Sequence, residues 1–413
     1  MRGAMLAISV LTIVMAFVLN NKLLLQDTGQ AIEVKCDNAE GCFGLLEQAI
    51  ASAPPGAVIQ LSTGTFYEHS LIINKSLTIQ GVNPEKTLIK GMSSQAQASG
   101  QPALYPVFHI ESDSEVQVLL KDLTIVTINE EIRFALFTKG KASVILDHSM
   151  ILNDKGLTGI IVGNSSFLTI RDSVIVDGTE GIQVEDSAIL VLSDSQLFRG
   201  GVGLEVQGSG IARLHNCTIS RYRFGIIVGG SARAYFDSCK IYDMHFVGLL
   251  AEDSAQFELS NSQISDSLLH GVVLSDLTKG KIIRSLITSN MINGITIADS
   301  AVAEIQSSVI ADNGIARGCW QQDGDPENIC NGVAGRGRAQ IIIDNSVIRN
   351  NTDWGVATFL KQCGYLEDDF TGKIVFLGEN KIEGNNKSGN HSNMGNPGDH
   401  PFKNLPSGQV CTS

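Results

Sequence analysis

Two stretches near the carboxyl end of the chain combine aromatic rings with carboxylates, a combination of side chains that binds sugars. An aromatic ring packs against the apolar face of a sugar, and a carboxylate accepts hydrogen bonds from hydroxyl groups. The first stretch follows Cys319 and the second follows Cys363. The two stretches, together with Arg336 and Trp354 between them, supply the candidate ligand-binding residues. These are Trp320, Asp323, Asp325, Glu327, Arg336, Trp354, Tyr365, Glu367, Asp368 and Asp369.

These residues leave other interpretations open. Asp323-Gly-Asp325 offers oxygen ligands of the kind that Ca²⁺ prefers, but it is far from a complete calcium loop. The two stretches could instead be solvated, disulfide-tied loops that close the end of the fold. The histidines show no H-x-H or H-x-x-x-H spacing and the cysteines show no C-x-x-C spacing, so no other metal site and no resident cofactor are predicted. No catalytic residue is identified.

The eight cysteines indicate disulfide bonds and therefore an oxidising compartment. Eight cysteines allow 105 connectivities, so spacing alone only suggests partners. The pairs that we expect are Cys36 with Cys42, Cys319 with Cys330, and Cys363 with Cys411. Cys217 and Cys239 remain, and we expect them to form a stacked pair of buried thiols.

Residues 1–25 are typical of a targeting segment. Arg2 is followed by an apolar run from Ala4 to Leu19 in which only Ser9 and Thr12 are polar. No A-x-A cleavage pattern follows, so a cleaved signal peptide and an uncleaved membrane anchor are both open. We expect an extracytoplasmic protein that is secreted, periplasmic or anchored at its N-terminus.

The composition excludes some partners. The 30 Lys and Arg residues against 43 Asp and Glu residues give a net charge of −13. A phosphate backbone or an anionic membrane surface needs a cationic face, so nucleic acid is excluded and a membrane contact is expected only through the N-terminal segment. The hydrophobic share of 43% is sufficient for a large core.

A repeat of 22 or 23 residues supplies the elements that position these side chains. A glycine followed by alternating apolar residues recurs at Gly159, Gly181, Gly203, Gly225, Gly248, Gly271, Gly294, Gly332 and Gly355. A second column of small residues keeps the same register, at Ser149, Ser173, Ser195, Cys217, Cys239, Ser262, Ser285, Ser308 and Ser346. Both spacings lengthen to 38 residues at the Cys319–Cys330 segment. Two columns that lengthen together indicate a solenoid of stacked coils.

Each period contains three short runs with alternating apolar residues, which predicts three strands per coil and an all-β fold. The repeats and the N-terminal entry, Pro54-Pro-Gly-Ala-Val-Ile-Gln-Leu, resemble the right-handed parallel β-helix of the pectate-lyase-like superfamily. The closest similarity is to its NosD-like, carbohydrate-binding and sugar-hydrolase type. We expect ten or eleven coils over residues 31–385, a capping helix over Gly44 to Ala53, and a capping tail over residues 386–413.

The resemblance implies a ligand cleft on the sheet formed by the glycine-led strands. Alternation predicts which side chains of this sheet point outward. They are those of Ile161, Gln183, Glu205, Ile227, Leu250, Val273, Thr296, Ala334 and Ala357. Glu205 is the single carboxylate among them, whereas a glycoside hydrolase needs two and a calcium-dependent lyase needs several. The sequence therefore favours a non-catalytic protein that binds polysaccharide. A polysaccharide lyase or hydrolase, and a structural spacer or adhesin, are the alternatives.

Overall fold

The protein is a parallel β-helix of about 13 turns, seen in a computed structural model. The structure describes residues 31–92, 105–127, 132–153, 158–315, 329–363, 365, 368–385 and 410–411. All strand pairs among these residues are parallel. The all-β solenoid is confirmed, with two or three turns more than the sequence predicts, because the N-terminal turns lack the glycine-led pattern.

The strands follow one another along the whole of the described chain. The first are β1 (Ala31–Val34), β2 (Cys42–Phe43), β3 (Ala57–Leu61), β4 (Gly64–Glu68), β5 (Leu71–Ile73), β6 (Leu77–Gln80), β7 (Thr87–Gly91), β8 (Tyr105–Lys121), β9 (Thr124–Thr127), β10 (Ile132–Asp147), β11 (Met150–Leu152) and β12 (Thr158–Val162). The next are β13 (Phe167–Arg171), β14 (Val174–Val176), β15 (Glu180–Val184), β16 (Ile189–Ser193), β17 (Gln196–Val206), β18 (Ile211–His215), β19 (Thr218–Val228), β20 (Arg233–Asp237), β21 (Lys240–Tyr242), β22 (Val247–Ala251), β23 (Gln256–Ser260) and β24 (Gln263–Ser265). The last are β25 (Val272–Leu274), β26 (Lys279–Ile283), β27 (Leu286–Thr288), β28 (Ile295–Ile297), β29 (Val302–Gln306), β30 (Val309–Ala311), β31 (Val333–Gly335), β32 (Gln340–Asp344), β33 (Val347–Arg349), β34 (Val356–Thr358), β35 (Lys373–Leu377), β36 (Lys381–Glu383) and β37 (Val410–Cys411).

The strands form three faces, which we call sheets A, B and C. Sheet A holds the glycine-led strands and runs β5, β8, β10, β12, β15, β17, β19, β22, β25, β28, β31, β34, β37. Sheet B runs β1, β3, β6, β8, β10, β13, β16, β18, β20, β23, β26, β29, β32, β35. Sheet C runs β2, β4, β7, β9, β11, β14, β17, β19, β21, β24, β27, β30, β33, β36. The long strands β8, β10, β17 and β19 each pass from one sheet into the next.

The core is a set of columns of stacked aliphatic side chains. In sheet A, Ile160, Ile182, Leu204 and Ile226 lie in register on successive turns and are fully buried. A strand of five residues cannot bury its inner face alone, so each turn is stabilised by the two turns that it contacts.

The predicted column of small residues is a ladder of buried hydrogen bonds. The backbone N–H of Ser285 donates to Ser308 Oγ at 3.1 Å, and Ser308 N–H donates to Ser346 Oγ at 3.1 Å. Cys217 and Cys239 occupy two places in this column as free, buried thiols, which confirms the prediction.

A second ladder consists of asparagines at the corner between sheets C and A. Asn290 N–H and Nδ2 both donate to Asn313 Oδ1, at 3.1 and 2.9 Å, and Asn313 donates in the same way to Asn351. Asn351 in turn donates to Asn385 Oδ1 at 3.0 and 2.9 Å. This ladder was not predicted from the sequence, although the spacings from Asn290 to Asn313 and from Asn313 to Asn351 repeat the 23- and 38-residue periods.

Helix α1 (Leu45–Ser52) lies beside β1, β4 and β5, within the range predicted for it. Gly44 precedes it without a side-chain cap. The carboxylate of Glu68 fills that role from β4, accepting hydrogen bonds from Leu46 N–H at 2.9 Å and Glu47 N–H at 3.1 Å. Whether α1 closes the end of the core stays a prediction. A short 3₁₀ turn, Lys361–Cys363, follows β34.

Two predicted disulfides are present, Cys36–Cys42 and Cys363–Cys411. The second holds β37 against β34, so the end of the chain returns to sheet A. Cys330 is also disulfide-bonded, and its expected partner, Cys319, lies outside the described residues. The targeting segment and most of the tail also lie outside them. Within the described ranges, no helix has the length and apolar character needed to cross a membrane.

Candidate functional site

Five of the candidate ligand-binding residues cannot be placed. They lie outside the described residues and are Trp320, Asp323, Asp325, Glu327 and Glu367.

The aromatic rings of Trp354 and Tyr365 are buried. Trp354 is 1% exposed and its Nε1–H donates to the carbonyl of Cys363 at 3.1 Å. Tyr365 is 5% exposed, stacks on Phe359 with ring centroids 4.0 Å apart, and accepts a hydrogen bond from Asn331 Nδ2 at 2.9 Å. Neither ring presents a face to solvent, so sugar stacking does not follow for them.

The charged residues of the same region hold local structure. Arg336 forms an ion pair with Asp369, and its guanidinium lies 5.8 Å from the centre of the Phe359 ring. Asp368 Oδ1 accepts a hydrogen bond from Lys361 N–H at 2.8 Å, which fixes the turn after β34. The described part of this region therefore resembles a closed cap more than an open groove.

The outward face of sheet A keeps the register that the sequence predicts. Its central column steps from Ile161 through Gln183, Glu205, Ile227, Leu250, Val273 and Thr296 to Ala334 and Ala357. The residues from Gln183 to Thr296 are partly exposed, while Ile161, Ala334 and Ala357 are buried. The accessible part of the face is thus its middle.

Glu205 has carboxylate neighbours that the sequence analysis missed. Glu180 begins β15 and Glu185 directly follows it, one turn before Glu205, and Glu252 follows β22 two turns after Glu205. Thr158 Oγ1 donates to Glu180 Oε2 at 2.8 Å. Their positions in the repeat could have identified them, because Glu180 directly precedes the repeated Gly181 and Glu185 directly follows the strand.

Glu205, Glu185 and Glu252 are harder to ionise than ordinary glutamates. Burial raises the pKa of Glu205, and repulsion from Glu180, Glu185 and Glu252 raises it further, while a hydrogen bond from Gln207 Nε2 at 3.1 Å opposes this. Burial also raises the pKa of Glu185 and of Glu252. A carboxyl group in such surroundings can hold a proton at a pH where exposed glutamates have lost theirs.

An aromatic pair lies near the start of the glycine-led strands, one and two turns after the Glu205 strand. Phe224 lies directly opposite Val202, the residue that begins the glycine-led part of the Glu205 strand. The rings of Phe224 and Phe246 are stacked with centroids 5.4 Å apart, and the Arg223 guanidinium lies 5.0 Å from the Phe246 ring centre. Both rings are partly exposed.

A polar cluster lies further along the face, around His270. His270 Nδ1 accepts hydrogen bonds from Asn293 N–H at 3.4 Å and from the Thr296 hydroxyl at 3.3 Å. Asn293 Nδ2 donates to Thr296 Oγ1 at 3.1 Å, which orients that hydroxyl. Burial lowers the pKa of His270 to about 4, so its ring is neutral near neutral pH.

Among the described residues, no group of three or more His, Cys, Asp or Glu side chains is arranged to hold a metal ion. The side chains of sheet A supply aromatic packing, hydrogen bonding, and proton transfer by carboxyl groups with raised pKa.

Comparison with known proteins identifies the fold. Residues 158–310 match the family model described as "Right handed beta helix region". No curated protein matches the sequence. The periplasmic alginate epimerase AlgG superposes with a TM-score of 0.56 at 11% identity, over 84% of this chain and 83% of its own.

A second solved structure is the catalytic unit of the thermostable GH87 alpha-1,3-glucanase from Streptomyces thermodiastaticus strain HF3-3. It superposes with a TM-score of 0.51 at 13% identity, over 81% of this chain and 65% of its own. Likeness at this level of identity concerns architecture alone. The chain has the right-handed parallel β-helix fold.

Proposed function

We propose that the protein binds a neutral polysaccharide on the outward face of sheet A, centred on Glu205. The observation that carries the proposal is a partly buried carboxylate with its amide partner, Gln207, on the same sheet as the stacked rings of Phe224 and Phe246 on the next two turns. The aromatic and carboxylate chemistry that the sequence suggests for the carboxyl end is thus supported at the middle of the solenoid instead.

The chemistry of this face suits sugars. A sugar ring can pack its apolar side against Phe224 while its hydroxyls donate to Glu205 and exchange hydrogen bonds with Gln183 and Gln207. Turns of the solenoid repeat about every 4.8 Å, so a polymer lying along the axis meets one residue of the central column at each such interval.

Charge favours a neutral polymer over a polyuronate. The carboxylates of Glu180, Glu185 and Glu205 already repel one another, and the whole chain carries −13. An anionic polymer would add to that repulsion, and like charges placed together oppose association. The names of the two structural neighbours refer to alginate and to α-1,3-glucan, which supports a polysaccharide as the ligand class.

Hydrolysis is a second candidate, favoured by the raised pKa of Glu205. A glycoside hydrolase uses one protonated carboxyl group as general acid and a second carboxylate about 5–10 Å away as base or nucleophile. Glu205 would be the acid, and Glu185 or Glu180, one turn away, would be the second group.

An extracytoplasmic location fits the two disulfides. We propose that the protein meets its polysaccharide there, as a secreted, periplasmic or N-terminally anchored protein. Fractionation of cells that produce the full chain tests this, since recovery only with reduced cytoplasmic proteins would contradict it.

The test of binding uses two variants on sheet A and matched controls on sheet B. Phe224→Ala and Glu205→Gln are compared with Tyr235→Ala and Glu304→Gln, whose side chains are partly exposed on the outward face of sheet B. Each protein is incubated with glucans, xylan, alginate and polygalacturonate, and retention on polymer and release of new chain ends are measured. Thermal melts confirm that each variant is folded.

We expect retention on at least one neutral polymer, lost in Phe224→Ala and Glu205→Gln and kept in both controls. New chain ends that disappear in Glu205→Gln would establish the hydrolase instead. Equal losses in the sheet B controls, or no retention on any polymer, would overturn the proposed function and favour a structural spacer.

A further inference from the structure

We infer that sheet A carries a second sugar subsite at His270, and that one polymer chain contacts both subsites by lying along the axis of the solenoid. The inference rests on the proposed function and deepens it, because it specifies the direction of the polymer and the shortest chain that binds fully.

The hydrogen bonds of His270 fix its chemical form. A backbone N–H can only donate, so the bond from Asn293 N–H requires Nδ1 to be an acceptor without a proton. A neutral imidazole then carries its proton on Nε2. No described residue hydrogen-bonds to Nε2, so the ring offers one N–H donor that the described part of the chain does not use.

The surroundings hold this ring rigidly. Asn293 Oδ1 accepts a hydrogen bond from Asn331 N–H at 2.7 Å, and Asn331 Oδ1 accepts one from Trp354 N–H at 3.1 Å. Asn331 Nδ2 donates to the Tyr365 hydroxyl at 2.9 Å. A line of buried amides thus runs from His270 to the closed C-terminal region, and a donor supported in this way is pre-organised for a ligand.

The two subsites are separated by an apolar surface. His270 and Val273 lie on the same turn, and Val273 is three strand steps from Glu205 in the central column, on the order of 15 Å. The partly exposed residues between them are Ile227 and Leu250. A disaccharide cannot span this distance, whereas a chain of several sugars can lie over the apolar strip and reach both polar ends.

The uncharged Nε2–H donor of His270 also suits the neutral polysaccharide that we propose as the ligand. The Nε2–H group would donate to a hydroxyl or carbonyl oxygen of the sugar and supplies no positive charge for a carboxylate. The subsite therefore adds affinity for long neutral chains without favouring polyuronates.

The test is a length series of 1,3-linked gluco-oligosaccharides, from the disaccharide upward, titrated calorimetrically into wild type, His270→Phe and His215→Ala. His215 is an exposed histidine on sheet B and serves as the matched control. We expect wild-type affinity to rise with length until both subsites are filled. His270→Phe should lose about fivefold for the long chains, the contribution of one neutral hydrogen bond, and nothing for the short ones.

A measurement on the wild-type protein covers the case in which His270→Phe does not fold. Long-range proton–nitrogen NMR of the histidine rings should show His270 as the Nε2–H tautomer, shifted by long oligosaccharides and unaffected by the disaccharide. Equal affinity for short and long chains, or a His270 resonance whose chemical shift does not change with long chains, would overturn the second subsite and leave the proposed function intact. Failure of wild type to bind any member of the series would overturn the second subsite, and the proposed function falls with it if no polymer of the retention test is bound either.

Discussion

Glu205 occupies a position that opposes its own ionisation. Its carboxylate is partly withdrawn from water and lies in the field of three other glutamates, and both effects raise its pKa. A group with a raised pKa in the folded state binds a proton more readily there than in the unfolded chain. Its contribution to stability is therefore present at low pH and is lost as the pH rises through the folded pKa.

Glu205→Gln should accordingly stabilise the protein at neutral pH. Glutamine keeps the shape and the hydrogen-bonding capacity of the protonated acid without the charge, so we expect the melting temperature at pH 7 to rise by about 2 °C. The difference should vanish near pH 4, where wild-type Glu205 is itself protonated. Calorimetry at the two pH values measures this, and a lower melting temperature of the variant at pH 7 would show that the charge is stabilised rather than opposed.

Individual residues also show which side-chain positions the sequence predicts and which it does not. The alternation after each repeated glycine predicts the central column of sheet A, including Glu205. It does not reach Glu180, which precedes its glycine, nor Glu185, which follows the strand. Trp354 also precedes its glycine, Gly355, and Tyr365 lies in the irregular segment after β34. The alternation predicts neither orientation, and both rings are inside.

At the scale of single elements, α1 depends on a residue from a distant part of the sequence. Gly44 offers no side-chain cap, and Glu68 in β4 accepts the N–H groups of Leu46 and Glu47 instead. The hydrophobic pattern predicts such a helix, but a cap supplied across the fold cannot be read from the residues that precede it.

Glu68→Ala should destabilise the protein by about 1–2 kcal/mol, because two buried N–H groups at the start of α1 lose their acceptor. Glu47→Ala, on the exposed side of the same helix, should change stability by less than about 0.5 kcal/mol. Chemical denaturation of both variants tests the comparison. Equal effects would mean that the Glu68 carboxylate does not act as the cap.

The asparagine ladder is the most sensitive element of the C-terminal turns. Asn313 Oδ1 receives two hydrogen bonds from Asn290, and Asn313 donates two to Asn351. Asn313→Ala should cost about 3 kcal/mol, since several buried polar groups would be left without partners. Gln340→Ala, an exposed amide on sheet B, is the control and should be close to neutral. A loss below 1 kcal/mol in Asn313→Ala would contradict the role of the ladder.

At the scale of the whole molecule, contacts connect each turn to its neighbours and to little else. The glycine and serine columns predict this architecture from the sequence, because both lengthen together at the same insertion. The sequence does not predict the number of N-terminal turns, because the long strands β8 and β10 lack the glycine-led pattern.

Stability should consequently be local. Asn313→Ala should increase amide hydrogen exchange in the turns around β28 to β34 and leave β3 and β6, near the other end, unchanged. Mass spectrometry of exchanged peptides reports this directly. A uniform increase along the chain would show that the solenoid unfolds as one cooperative unit.

The parallel strand pairing also determines how the molecule responds to force. The hydrogen bonds between turns run along the axis, so tension applied to the two ends opens the strands of one turn before it loads the next. Each opened turn releases 22 or 23 residues, about 75 Å of extended chain. A single molecule held between two optical traps should therefore lengthen in a staircase of nearly equal steps. The disulfide Cys363–Cys411 should keep the last turn closed until a reductant is added.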